Sequence, residues 1–249
     1  MRFLPALAGY AYARAGAHVY VNLFGGSAAR TTIDGNELCL IQETDFPWDG
    51  NLMIRVETAP ARELMFHVRI PGWARNQPVP SDLYRFEDAC PEEARLEVNG
   101  VRVENPALEK GFAVLRRQWQ KGDTIHLRLP MPVRRVRCHE NVVENRGRVA
   151  LQRGPLVYCV EAVDNGGQVR NLALPAGPSL RARRTDLLGG VTVLRGTATR
   201  RRPQDWPAGT LYRPGPTGRR RVPVVAVPYC AWGNRTPRQE MLVWVNRGS

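Results

Sequence analysis

The chain is 249 residues long, room for one large domain or two ordinary ones, and 43% of it is hydrophobic, enough to bury real cores. No apolar run approaches the roughly 20 residues of a membrane-spanning helix, so no membrane partner is expected. The formal net charge of +13 invites a nucleic-acid reading, yet all basic residues except Lys110 and Lys121 are arginine, and they accompany abundant Ala, Gly and Pro, as a GC-rich coding sequence produces.

In chain order, the first dozen residues form the one helix candidate: Phe3, Leu7 and Tyr10 share a helical face, Pro5 is tolerated near a helix start and Gly9 lies near the end. The same letters, with the step Ala11-Tyr12-Ala13, also suit a secretory leader, although Pro5, Gly9 and two tyrosines interrupt the apolar run. From His18 onward most of the chain reads in period two. "HVYVNLF", "ELCLIQET", "NLMIRVET", "ELMFHVRI", "ARLEVNG", "FAVLRRQW" and "DTIHLRLPM" are strand-like runs. Asp34-Gly35 and Asn99-Gly100 are hairpin signals. Pro47-Trp48-Asp49-Gly50 is a turn in which glycine takes the left-handed position, and Gly122-Asp123 is a further break. This spacing predicts an antiparallel sandwich.

The polar stretch "CHENVVENRGR" interrupts the pattern. "VALQRGPLVYCVEAV", "LALPAG", "GVTVLRGTAT", "VPVVAVPYCAW" and "EMLVWVN" then form a second strand-rich unit, with residues 164–221 less periodic and expected to hold long loops. The arginines are scattered apart from Arg134-Arg135, Arg183-Arg184, Arg200-Arg202 and Arg219-Arg221. The two triplets lie near prolines and read as solvated loops, so no specific nucleic-acid partner is expected.

The five cysteines, Cys39, Cys90, Cys138, Cys159 and Cys230, are odd in number and include no C-x-x-C pair, which argues against a zinc knuckle or a redox motif. Cys39 and Cys159 sit in apolar runs and are expected as buried, reduced hydrophobes. A reducing, cytoplasmic setting follows as the expectation.

"LQRGPLVYCVE", followed later by "VPYCAWGNR" and "EMLVWV", resembles the C-terminal part of family 127 glycoside hydrolases, the β-L-arabinofuranosidase-like proteins. "YVNLFGGS", "DFPWDG", "FHVRIPGWA", "QWQKGDTIHLRLPMPVR" and "ENRGRVALQRGP" resemble the same family in the same order, so the likeness covers nearly the whole chain. The resemblance implies a catalytic (α/α)6 barrel first and two β-sandwich domains after it. It implies a cysteine thiolate nucleophile, a zinc ion held by cysteines and a glutamate, and a separate carboxylic acid/base. A Cys-Cys-Pro motif would close the barrel's catalytic set, followed by a helix like "RFLPALAGYAYA". On this reading Met1 stands where that motif ends, and the barrel is expected to be missing or separately encoded. No cysteine here matches the nucleophile, so no catalytic residue, cofactor-binding residue or metal ligand is assigned.

Local chemistry offers weaker candidates. Glu43, Asp45, Trp48 and Asp49 could flank a sugar, but they read better as a hairpin turn in which Asp49 accepts a local backbone hydrogen bond, with Glu43 and Asp45 solvated on one strand face. His139-Glu140 with Glu144 could pair as acid and base, yet they lie in a connector with nothing to orient the histidine. His18, His67 and His126 stand singly in separate strands. Arg153-Gly154-Pro155 has too few glycines to cradle phosphate and reads as a rigid strand entry. Trp73, Trp119, Trp206, Trp232 and Trp244 could stack on sugars. Several are expected to anchor cores, and Trp206, in a loop, is the best exposed candidate.

The expectation is therefore a mainly β chain of two antiparallel β-sandwich-like domains, at residues 17–138 and 139–249, after a short helix remnant at 1–16. Its expected role is to support a catalytic barrel. A free-standing carbohydrate-binding module and a subunit of a split glycosidase are the alternatives.

Overall fold

The computed structural model describes residues 7–177, 180–201, 218–235 and 239–248. The described chain is built from strands and short 3-10 turns, and no helix in it is long and apolar enough to cross a membrane. It divides into two compact units, one formed by Met1–Pro80 with Cys90–Met131 and the other by Ser81–Ala89 with Pro132–Ser249.

The helix expected over the first dozen residues lies in part outside the described residues, Phe3 included. Within them, Leu7–Tyr10 is a 3-10 turn and Tyr12–Ala15 is already a strand, β1. The reason is a tight turn. Gly16, with φ +59°, reverses the chain so that β1 pairs antiparallel with β2 (His18–Val21), Ala15 opposite His18. β3 (Ser27–Ile33) and β4 (Asn36–Thr44) close around Asp34 and Gly35, at φ +49° and +78°. β5 (Asn51–Thr58) and β6 (Glu63–Arg69) follow. β7 (Tyr84–Phe86) belongs to the second unit. β8 (Arg95–Val98) and β9 (Val101–Arg102) turn at Asn99-Gly100, as the sequence predicts. β10 (Leu108–Glu109) and β11 (Phe112–Gln118) turn at Lys110-Gly111, at φ +49° and +87°. The sequence reading passes over that turn because lysine is an uncommon first partner for it. β12 (Thr124–Arg128) completes the unit.

These strands make a five-stranded sheet, β1-β2-β6-β11-β10, and a six-stranded sheet, β3-β4-β5-β12-β8-β9. One pairing, β2 with β6, is parallel in otherwise antiparallel sheets. Alternation decides which side is buried. Along β5, Leu52, Ile54 and Val56 point inward while Asn51 and Met53 are exposed. Both sheets contribute to one core, in which each buried aliphatic side chain is worth about 1.5–3 kcal/mol. Trp119 lies flat on Phe66 at 4.4 Å in that core, and its indole N–H donates to the Leu64 carbonyl at 3.3 Å.

Gly50 corrects the turn expectation. Its φ is not left-handed. It is glycine because a Cβ there would stand 2.0 Å from the Leu129 carbonyl oxygen, and the Gly50 carbonyl accepts the Leu129 N–H at 2.9 Å.

In the second unit β13 (Val133–Cys138) pairs with β7 and with β14 (Arg148–Arg153), so the segment around β7 and β13 packs with residues that follow it. β15 (Leu156–Glu161), β16 (Leu172–Leu174), β17 (Leu180–Thr185), β18 (Val191–Arg201), β19 (Arg219–Pro228), β20 (Met241–Leu242) and β21 (Val245–Arg247) follow. The pairings β15–β19–β18–β16–β21–β14–β15 close on themselves, which leaves these strands no open edge. β16 and β21 pair in parallel. The enclosed core includes Tyr158, Val160, Leu172, Leu194, Val224 and Val245. The region expected as long loops contains β17 and β18, and the Arg-rich stretches around Arg200 and Arg219 are paired strand, not solvated loop.

Candidate functional site

The candidate residues do not converge in one place. Glu43 and Asp45 are exposed, and Glu43 meets Arg55 at 3.3 Å. Asp49 accepts the Asn51 N–H at 2.8 Å and Trp48 N–H donates to Asp45 O at 2.8 Å, so this cluster is a turn. His139, Glu140 and Glu144 are exposed, and His139 Nδ1 accepts the Asn141 N–H at 3.1 Å. Arg153-Gly154-Pro155 is the β14–β15 hairpin turn, with Gly154 at φ +56°. His126 faces Glu97 at 3.8 Å on the outer side of β12.

His18 and His67 do meet. The parallel β2–β6 pairing places His18 Nδ1 2.9 Å from His67 Nε2, and Tyr20 stacks on the His67 ring at 4.3 Å. Burial lowers the pKa of His67, the neighbouring His18 lowers it further, and Glu109 opposes both. The His18–His67 contact reads as a packing device between the two strands.

The tryptophans separate by depth. Trp119 is core, Trp73 stacks near Phe46 at 6.5 Å, and Trp244 lies against Tyr84 at 5.7 Å. Trp232 is 43% exposed and lies parallel to Tyr229 at 6.1 Å. Trp206 lies outside the described residues.

All five cysteines are free, with Cys39 and Cys159 buried as expected. Burial pushes the Cys159 thiol up to about 12, and the charge of Glu161 adds to it, the opposite of an activated thiolate. Among the described residues no group of three or more His, Cys, Asp or Glu could hold a metal ion. The donor set that a cysteine-ligated zinc requires is not brought together in these residues.

The strongest polar constellation is one that the sequence reading passes over. Glu161, fully buried at the end of β15, accepts from Gln239 Nε2 at 2.8 Å, from the Gly233 N–H at 3.1 Å and from the Arg235 guanidinium. Arg235 also grips Asp164 at 2.5 and 2.7 Å. The hydrogen bonds that Arg235 donates to Asp164 raise its pKa against the pull of burial, and Glu161 raises it further. The signal was an acidic residue closing the apolar run "LVYCV". Its partners lie more than 70 positions away, beyond any local pattern.

Among the described residues, each unit carries a concavity. A groove of about 590 Å³ runs beside Leu7, Tyr12, Leu23 and Phe24. A cleft of about 580 Å³ is walled by Arg170, Arg201, Arg219 and Arg247.

These features define a class first: tandem β-sandwich-like domains. Residues 18–131 match the beta-L-arabinofuranosidase GH127 middle domain and residues 133–246 match the glycoside hydrolase family 127 C-terminal domain. The chain belongs to glycoside hydrolase family 127. It is 33% identical over 236 residues to a non-reducing end beta-L-arabinofuranosidase of Bifidobacterium longum subsp. longum, covering 88% of this chain and 33% of that protein. It superimposes on Ara127N-Se, a GH127 beta-L-arabinofuranosidase from Geobacillus stearothermophilus T6, with TM-score 0.85 and 40% identity, over 99% of this chain and 36% of that one. A second solved GH127 beta-arabinofuranosidase gives TM-score 0.89 at 32% identity, over 99% of this chain and 37% of the other. The chain thus spans about a third of the length of these relatives and carries their middle and C-terminal domains.

Proposed function

We propose that this chain is the non-catalytic β portion of a β-L-arabinofuranosidase-like glycoside hydrolase and works by supporting a catalytic barrel, supplied by further residues of the protein or by a partner chain. The observation that carries this is the pair of contiguous family matches, which assign nearly all the residues to domains other than a catalytic one. The apolar groove supports it. Leu7, Tyr10 and Leu23 are 37%, 57% and 41% exposed beside it, a surface suited to a docked domain. The zinc and thiolate chemistry belongs, on this reading, to the barrel. The five free cysteines support a reducing, cytoplasmic setting.

The test is direct. The purified 249-residue chain, with or without added zinc, is assayed on an aryl β-L-arabinofuranoside. No turnover is expected from the chain alone, and mutating any of the five cysteines leaves that unchanged. Adding the separately expressed barrel of a relative is expected to yield a complex. Zinc-dependent turnover by the chain alone would overturn the proposal.

A second reading, a carbohydrate-binding role, is favoured by one observation. The Tyr229 and Trp232 rings are each about half exposed and stack parallel within 5°, so an outward ring face of the pair could take a sugar. Retarded migration of the chain in an arabinan-containing gel, lost in Trp232→Ala, would support it.

A further inference from the structure

β17 lies outside the closed ring of the second unit. It pairs along one side with β18, from Leu180 opposite Gly196 to Thr185 opposite Val191, and no other strand among the described residues pairs with it. Among those residues no backbone hydrogen bond reaches its other side. Alternate residues of an edge strand turn their N–H and C=O groups outward, so the free side of β17 is a template for one more strand.

The side chains of this edge carry unanswered charge. Arg181 stands directly opposite Arg195 of β18, so both project from one face of the arm, and Arg183, two residues along, joins them there. All three are exposed, and among the described residues none of their side chains makes an ion pair or hydrogen bond. The same holds for Asp186, the acid just past the end of β17. Arg184 alternates to the opposite face and packs beside Gly190 at the turn, so it takes no part. Like charges directly opposite weaken a ladder, and charge on an edge deters uncharged and basic strands. An acidic strand is the exception. Its carboxylates would answer the cations of Arg181 and Arg183, and its backbone would take up the free N–H and C=O groups.

We propose that the free edge of β17 docks an extended acidic segment of another protein, added as a further strand with carboxylates two residues apart set beside Arg181 and Arg183. The open edge and the unpaired arginines are separate observations that meet on one strand. The inference is independent of the barrel-support reading, since every residue it uses lies in the second unit.

Fluorescence anisotropy and amide hydrogen exchange of the whole chain at physiological salt test this with three labelled, end-capped octapeptides. In the first, glutamate alternates with valine. In the second, lysine replaces glutamate. In the third, proline replaces valine, which keeps the acids and removes the backbone donors that a strand needs. The glutamate–valine peptide is expected to bind at least about tenfold more tightly than either of the others, because only it offers both carboxylates and a pairing backbone. Its binding is expected to slow amide exchange in β17. Arg181→Gln with Arg183→Gln is expected to weaken that binding at least about tenfold. If this variant fails to fold, the ranking of the three peptides and the exchange map of the unaltered chain decide alone. Equal binding of the proline peptide would reduce the site to bare charge and overturn the proposal. Equal binding of the lysine peptide, affinity that survives the arginine substitutions, protection elsewhere than β17, or no measurable binding of the glutamate–valine peptide would overturn it too.

Discussion

The carboxylate of Glu161 and the guanidinium of Arg235, 74 positions apart, join the end of β15 to the segment that follows Trp232. Glu161 has no solvent exposure, and Arg235 retains only 17% of its side chain in contact with water. A charge so placed is tolerated only with its partners in place, because desolvation is otherwise uncompensated.

Arg235→Leu is therefore expected to destabilise the second unit by about 3–5 kcal/mol, read as a lower urea midpoint. Combining it with Glu161→Leu removes the orphaned carboxylate and should recover a large part of that loss. A single variant within about 1 kcal/mol of the parent would show that the buried pair is not needed for stability.

The His18–His67 contact sets a pH dependence. His67 titrates below its ordinary value of 6.5, mainly through burial, so its folded form prefers to be neutral. Its contribution to stability is complete above pH 6.5 and is lost as pH falls through the lowered folded pKa. Thermal melts taken from about pH 8 to about pH 5 should show falling stability in the parent and a flatter profile in His67→Gln. Parallel profiles would assign the acid sensitivity to other groups.

Two tryptophans with the same sequence signature should behave differently. Trp119→Ala empties a site at 2% exposure against Phe66 and is expected to cost about 3–5 kcal/mol. Trp232→Ala, on an exposed ring, should stay within about 0.5 kcal/mol in a denaturant titration. Comparable losses would mean that Trp232 is buried by something in solution, such as self-association.

Gly50→Ala places a Cβ against the Leu129 carbonyl and should cost about 1–3 kcal/mol or more through backbone displacement. Gly26→Ala meets nothing within 4 Å and serves as the control, expected to be neutral or slightly stabilising. Equal melting temperatures for the two would refute the close-approach account.

The hairpins at Asp34-Gly35 and Asn99-Gly100 were legible because a turn that needs positive φ twice selects its residues locally. The burial of Leu52, Ile54 and Val56 was legible because alternation is a property of one strand. Lys110-Gly111 was not, since lysine adopts positive φ there without any compositional cue. The start of β1 was misread as helix because three apolar residues at helical spacing carried the signal, while the hairpin with β2 depends on residues after Gly16.

The sequence by itself determined a β-rich chain of two domains, the positions of most strands, the family and the buried character of Cys39 and Cys159. These follow from period, turn chemistry and ordered motifs, all readable over a few residues. Tertiary structure alone decided the parallel β2–β6 contact that sets His18 on His67, and the ring of pairings that closes the second unit. It also decided the burial of Glu161 beneath Arg235 and the ladder that turns scattered arginines into one cleft wall. Each of these joins residues far apart in the chain, and no local periodicity carries information about which distant strand a segment will meet.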